Sequence, residues 1–292
     1  MSDNEPTAWI KASPAIFLLL WSSGFVFLKL GLDYADPITF LALRYVLVVG
    51  ALLLPALWIR PAFPATLRSW GALVGVGICL QAGYFAFTYL SLRHGMTAGT
   101  IALITSQQPI LVGLLAPVVA RERVTPARWA GLLLGVGGAV IVIVGNSRLE
   151  VTSTLGLAFG VMALVSMASS TLIEKRYAEP VHPIAANLVQ YSMGLAICAP
   201  LAYALEPMHI EWSWPLIGSL TYLVFCNSLL AISLLLAMIR RGEASRVSAL
   251  FFLVPPVTAL IAYLVLGETL ALESMPGVLL TVIGIYLVIR KS

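Results

Sequence analysis

The stretch Thr97–Gly131, TAGTIALITSQQPILVGLLAPVVARERVTPARWAG, returns later in the chain as Glu243–Gly277, EASRVSALFFLVPPVTALIAYLVLGETLALESMPG. An ungapped shift of 146 residues, half of the 292, lays Ala98 on Ala244, Pro109 on Pro255, Glu122 on Glu268 and Gly131 on Gly277. The same shift carries Lys29 to Lys175, Pro37 to Pro183, Tyr45 to Tyr191 and Gly138 to Gly284. Prolines, charges and glycines that match at one offset exceed what shared composition produces, and they read as an internal duplication. The chain divides into repeats 1–146 and 147–292.

Composition identifies the medium around these repeats. Sixty per cent of the residues are hydrophobic, ten per cent are charged, and the mean hydropathy is +0.97. A soluble domain carries about 25% charge. One water-soluble core cannot bury so much apolar surface, so lipid is the expected solvent for much of it. The net charge is +4, but the basic residues sit in short clusters between apolar runs, which argues against a nucleic-acid partner. Cys79, Cys198 and Cys226 lie inside apolar runs at no zinc or redox spacing and read as packing residues. His94, His182 and His209 fall in separate connecting segments, so neither a metal site nor a cofactor is expected.

Ten runs have spanning length: about 13–32, 38–59, 69–91, 97–119, 127–145, 154–174, 183–205, 214–237, 245–266 and 274–290. Backbone groups in lipid must pair internally, so these runs are helices. The first run follows Lys11 in the manner of a signal peptide, but no small-residue cleavage site follows, and it is expected to be retained. Asp33–Pro37, Arg60-Pro61, Glu179-Pro180 and His182-Pro183 punctuate the connections, and Thr125-Pro126 reads as a cap and first turn. Thirteen Lys and Arg residues fall in loops on one side of the alternating spans and three on the other, with Arg44 inside a span. That bias places both termini in the cytoplasm. Five spans per repeat is an odd number, so the second repeat enters the membrane from the opposite side. The expected fold is an all-α integral membrane protein of ten transmembrane helices in two inverted repeats of five, a design used by secondary transporters.

Three groups of residues resemble the EamA branch of the drug/metabolite transporter superfamily. They are Phe40–Tyr45 (FLALRY), Pro109 followed by Glu122–Thr125 and Trp129–Gly131, and Pro255 followed by Leu266–Leu270, Gly277 and Gly284–Tyr286. The resemblance covers about residues 13–290. It implies a ten-helix carrier, commonly a bacterial inner-membrane exporter of small metabolites, with amino acids prominent among the substrates. Arg121 stands opposite Gly267, so the two loops need not pack alike.

A carrier needs a polar site near the bilayer midplane, and polar residues inside spans are costly unless they face it. The middle thirds of the spans offer Trp21 and Ser22, with Ser23, in the first; Gln81, Tyr84 and Phe85 in the third; and Gln107 and Gln108, with Thr105 and Ser106, in the fourth. They also offer Ser166, with Ser169, in the sixth, Tyr222 and Asn227, with Ser228, in the eighth, and Phe252, with Phe251, in the ninth. Hydroxyls, amides and rings suit a small zwitterion with an apolar side chain. Each has an alternative role in packing or in bonding back to the preceding turn. The adjacent amides Gln107 and Gln108 are the strongest candidates, since both cannot face lipid cheaply. Pro109 and Pro255 are expected to bend spans four and nine as gates or fixed kinks.

Arg44, roughly 10 Å into span two, either clamps a substrate carboxylate or snorkels and bonds carbonyls near the interface, with the structural role favoured. Glu122 and Glu268 are expected to accept N–H bonds from the next helix start. Gly131, Gly135 and Gly138 are expected to serve close packing within one bundle.

All thirteen carboxylates lie in tails, loops or span ends, which argues against a midplane proton carrier. Alternating access by facilitated or exchange transport of a small-molecule solute is the expectation. No convergent catalytic set marks an enzyme. A channel, or a membrane-embedded enzyme acting on a lipid-soluble substrate, is the competing class. The partners are a solute and the bilayer, and a single copy suffices for the design.

Overall fold

The computed structural model describes residues 8–120, 129–131, 133–135, 137–138, 140–141, 153–177, 181–234, 253–268 and 275–289. Phe252, Glu122 and Thr125-Pro126 fall outside the described residues, as does about half of the expected fifth span. The described elements are α1 (Ala8–Gly31), α2 (Pro37–Ile59), α3 (Leu67–Arg93), α4 (Ala98–Thr105) and α5 (Gln108–Ala120), followed by α6 (Thr154–Tyr177), α7 (Pro183–Leu205), α8 (Trp214–Leu234), α9 (Val254–Leu266) and α10 (Met275–Ile289). Among the described residues there is no strand, only a single bridge between Ala35 and Ile210. Six helices, α1, α2, α3, α6, α7 and α8, are long and apolar enough to cross a bilayer, and α9 and α10 are shorter apolar helices.

Local chemistry sets the helix limits. Pro37 and Pro183 open α2 and α7 in the first turn, where a missing N–H costs nothing. Thr66, Thr97 and Ser213 cap α3, α4 and α8 by accepting from Ser69, Thr100 and Leu216 N–H groups. α9 ends on Gly267, whose φ of +66° closes the helix in a left-handed turn.

α3 and α8 are not α-helical throughout. Gly77–Phe85 and Tyr222–Ala231 are π-helical, with one more residue per bonded ring than an α-helix. The bounds of α1 and α6, of α2 and α7, and of α5 and α9 are each 146 residues apart at both ends, and the π stretches fall at nearly the same offset.

The expected fourth span is interrupted. α4 stops at Thr105, Ser106 and Gln107 form a turn, and α5 starts at Gln108. Pro109 has no N–H to give the Thr105 carbonyl, so the α pattern cannot run through. Pro109 and Pro255 sit in the first turns of α5 and α9, Pro109 just past the break in the fourth span.

The bundle is apolar outside and polar within. Leu54, Leu57, Trp58 and Leu264 are among its most exposed side chains, at 70% exposure or more. Ser22, Arg44, Gln81, Thr88 and Ser228 are buried. That distribution fits a lipid surround, in which polar groups find partners only inside.

Glycines let backbones approach. A Cβ on Gly77 of α3 would stand 3.0 Å from the Gln190 carbonyl of α7, and one on Gly194 of α7 would stand 2.7 Å from Gln81 Cβ. A Cβ on Gly284 would overlap the backbone of Gly131 and Gly135, so these small residues pack inside the bundle as expected. Gly77→Ala should lower stability by about 1–3 kcal/mol through overpacking. Gly50→Ala, with no atom within 4 Å of the new methyl, should leave it within about 0.5 kcal/mol. Thermal unfolding of the purified variants in one detergent checks the contrast.

Candidate functional site

A cavity opens between α1, α2, α3 and α8. α1 contributes Trp21, Gly24, Phe25 and Leu28; α2 contributes Arg44; α3 contributes Tyr84, Phe85 and Thr88. Leu223 and Asn227 of α8 complete it. It encloses about 290 Å³ including its mouth, but its interior has room for little more than one water. Counting back from Gly31 at 1.5 Å per residue, it runs from roughly 5 to 15 Å below that end of α1.

Arg44 dominates the site. It is 1% exposed, so it does not snorkel, and its partners among the described residues are side chains and not backbone carbonyls. Its Nε–H donates to Ser228 Oγ at 3.1 Å. Nη2 donates to Ser228 Oγ at 2.8 Å and to Asn227 Oδ1 at 3.1 Å, and Nη1 makes a long 3.4 Å bond to Tyr89 Oη. The guanidinium lies 4.7 Å from the Phe85 ring centre. Asn227 is held in turn, its Nδ2 donating to the Leu20 carbonyl at 3.2 Å. Gly24 makes this possible, because any Cβ there would run into the Asn227 amide. The interfacial role favoured for Arg44 therefore gives way to a buried one.

The other candidate residues divide. Trp21, Tyr84, Phe85 and Asn227 line the cavity. Ser22 and Gln81 are buried beside it, and Ser22 Oγ has no hydrogen-bond partner among the described residues. Tyr222 bonds Ser23 Oγ at 2.6 Å and stacks on Phe27 at 3.9 Å, a packing role next to the site. Ser166 lies against Gly83, on the other side of α3's π stretch.

Gln107 and Gln108 do not line this cavity. Gln107 Nε2 bonds back to the Leu103 carbonyl at 3.2 Å, and Gln108 Nε2 reaches Thr171 Oγ1 of α6 at 2.8 Å. Thr105 and Ser106 also bond the preceding turn, so this polar cluster stabilises the break in the fourth span. Thr88 was absent from the candidate set, whereas Arg44 was weighed as a carboxylate clamp and set aside for a structural role.

Carboxylates close the end of the bundle where α1 finishes. Glu206, from the end of α7, accepts from Ile38 N–H at 2.8 Å, Thr39 N–H at 2.7 Å and Thr39 Oγ1 at 2.8 Å. Glu268, just past α9, accepts from Ala98 N–H at 3.1 Å and pairs with Lys29 Nζ at 2.5 Å. Glu268 does bond a helix start, that of α4. Asp36 and His209 and the Tyr34–Glu211 bond lace the neighbouring loops.

A multi-pass membrane helix bundle with a polar core and a cavity between its helices has the form of a solute transporter. Residues 14–144 and 154–290 each match the EamA-like transporter family, and the chain belongs to that family. It is similar to a probable amino-acid metabolite efflux pump of Salmonella typhimurium, with 29% identity over 93% of this chain and 92% of that one. A protein of the same description from Escherichia coli is 26% identical over 93% and 92% of the two chains. The fold is also that of a protein of known crystal structure, with a TM-score of 0.62 over 96% of each chain at 17% identity.

Ser228 accepts two bonds from a buried cation, whereas Tyr222 makes one neutral bond. Ser228→Ala should therefore destabilise the protein by about 2–3 kcal/mol and Tyr222→Phe by about 1 kcal/mol. Thermal unfolding of both variants under identical conditions tests the order.

Proposed function

We propose that this transporter exports small zwitterionic metabolites, amino acids with apolar side chains foremost, by alternating access through the cavity around Arg44. The observation that carries this reading is the cavity's lining: one cation, an amide and a hydroxyl set among Trp21, Tyr84 and Phe85. A zwitterion with an apolar side chain has matching parts. The printed description of the two bacterial relatives as amino-acid metabolite efflux pumps supports the substrate class.

The architecture we propose is ten membrane helices in two inverted repeats of five, 1–146 and 147–292, with both termini cytoplasmic. The helix limits 146 residues apart and the family's match to each half support it. Localisation in a cell inner membrane and transport by facilitation or exchange belong to the same reading. On this orientation the end carrying Lys29, Glu206 and Glu268 is the outer one. Its bonds join α1, α2 and α4 of the first half to α7 and α9 of the second, and they must part for release outside.

Reconstituted protein in liposomes preloaded with unlabelled amino acid should show saturable counterflow of the labelled form. A flux that rises without saturation would mark a channel, and no flux of any amino acid would reject the substrate class. Glu268→Gln, which weakens the Lys29 pair but keeps a shape able to bond Ala98, should raise labelling of a cysteine placed at Leu28 by an impermeant thiol reagent at least threefold. Unchanged labelling would remove Glu268 from the outer closure.

A further inference from the structure

Arg44 is buried as a cation with no carboxylate against it among the described residues. Its acceptors are neutral: Ser228, Asn227 and Tyr89. A cation in a low-dielectric interior is costly even after relaxation, and neutral dipoles offset that cost only in part. The four bonds occupy Nε–H, both Nη2 protons and one Nη1 proton, the last over a long 3.4 Å. The second Nη1 proton has no acceptor among the described residues. The guanidinium is thus fixed in place on the cavity wall but incompletely satisfied.

A second, independent observation lies one helix away. Thr88 lines the same cavity, is 1% exposed, and its Oγ1 completes no well-formed hydrogen bond among the described residues, the Tyr84 hydroxyl being a polar neighbour. Buried hydroxyls without partners are uncommon, and one facing a cavity is satisfied by what fills that cavity, a water or a polar group of the solute. Arginine prefers an acceptor that takes two parallel N–H bonds, and a carboxylate does this.

We propose that Arg44 and Thr88 form the receptor for the solute's carboxylate, and that the carboxylate, not the ammonium, is the group the transporter recognises. This rests on the transport reading above and narrows its substrate class to organic carboxylates with a small or aromatic apolar body. The carboxylate takes the free Nη1 proton while Thr88 donates its hydroxyl, and it takes a neighbouring Nη2 proton in a parallel fork as α8 withdraws Asn227 and Ser228. Phe85 and Trp21 pack the apolar body. Because the cavity interior has room for little more than one water, entry of the solute parts α1 and α8 from α2 and α3. Neutralisation of the buried charge by the solute favours that loaded state. The empty carrier keeps Arg44 on Ser228 and Asn227, which holds α2 to α8.

The test uses the purified wild-type protein and three matched pairs as probes: L-alanine and L-phenylalanine, their α-amides, and the acids lacking the amine, propionate and 3-phenylpropionate. Thermal stabilisation is the readout. At least one parent amino acid and its deaminated acid should raise Tm, and the corresponding amide should do so only at tenfold or higher concentration. Thr88→Val, nearly isosteric, should weaken the carboxylates about threefold or more without changing the Tm of the free protein. Arg44→Lys should abolish discrimination between acid and amide. If the Arg44 variant does not fold, the wild-type series still decides. Equal stabilisation by acid and amide overturns the carboxylate receptor but leaves transport intact. Stabilisation by none of the six overturns it as well, and counterflow of labelled amino acids then shows separately whether the transport reading survives.

Discussion

A single buried charge organises the centre of this molecule. An arginine side chain inside a membrane bundle must find hydrogen-bond acceptors, because water and lipid headgroups are out of its reach. Arg44 finds them on two other helices: Ser228 and Asn227 on α8 and Tyr89 on α3. Each acceptor needs its own support. Asn227 is anchored to the Leu20 carbonyl, and Gly24 leaves space for its amide. The requirement thus spreads from one residue to four helices, and the cavity is the gap left where the polar partners run out.

The π-helical stretches belong to the same arrangement. Gln81 lies in the first and Asn227 in the second, 146 residues apart. A π turn widens the helix and changes which side chains point inward, so amide, ring and hydroxyl positions on α3 and α8 converge where straight α-helices would spread them. Tyr45 Oη donates to the Gln81 carbonyl at 2.6 Å, a bond from a neighbouring helix to the irregular backbone. Tyr45 also meets Tyr191 edge-on at 5.6 Å, so α2 and α7 touch through residues that the sequence offset pairs.

Much of this was legible in the residues. Spans expected at about 38–59 and 183–205 are the helices Pro37–Ile59 and Pro183–Leu205, because prolines and long apolar runs mark both ends. Four of the proposed site residues, Trp21, Tyr84, Phe85 and Asn227, line the cavity. The misplacements have physical causes. Gln107 and Gln108 looked like site residues because two amides in lipid are expensive, but a proline break beside them supplies freed backbone acceptors and changes their direction. Thr88 was passed over because it lies towards the end of the expected third span, outside the middle third in which polar residues were sought. Arg44 was visible and its depth was read as roughly 10 Å, but its partners on α8 and α3 come from distant parts of the chain and leave no local signal. The π stretches leave no trace in a 3.6-residue period.

The capping carboxylates bear on how the chain is made. The first-turn N–H groups of α2 and α4 are bonded by Glu206 and Glu268, which are synthesised more than 160 residues later than the helices they cap. Asp36, at the start of α2, makes no side-chain cap of its own. During synthesis these helix ends must remain near headgroups or water until the later segments emerge. The early helices can therefore insert one by one, but their final docking waits for nearly the whole polypeptide. Interruption of synthesis between residues 206 and 268 would leave an inserted protein whose α4 terminus still lacks its acceptor, a feature by which quality control can distinguish a truncated chain from a finished one.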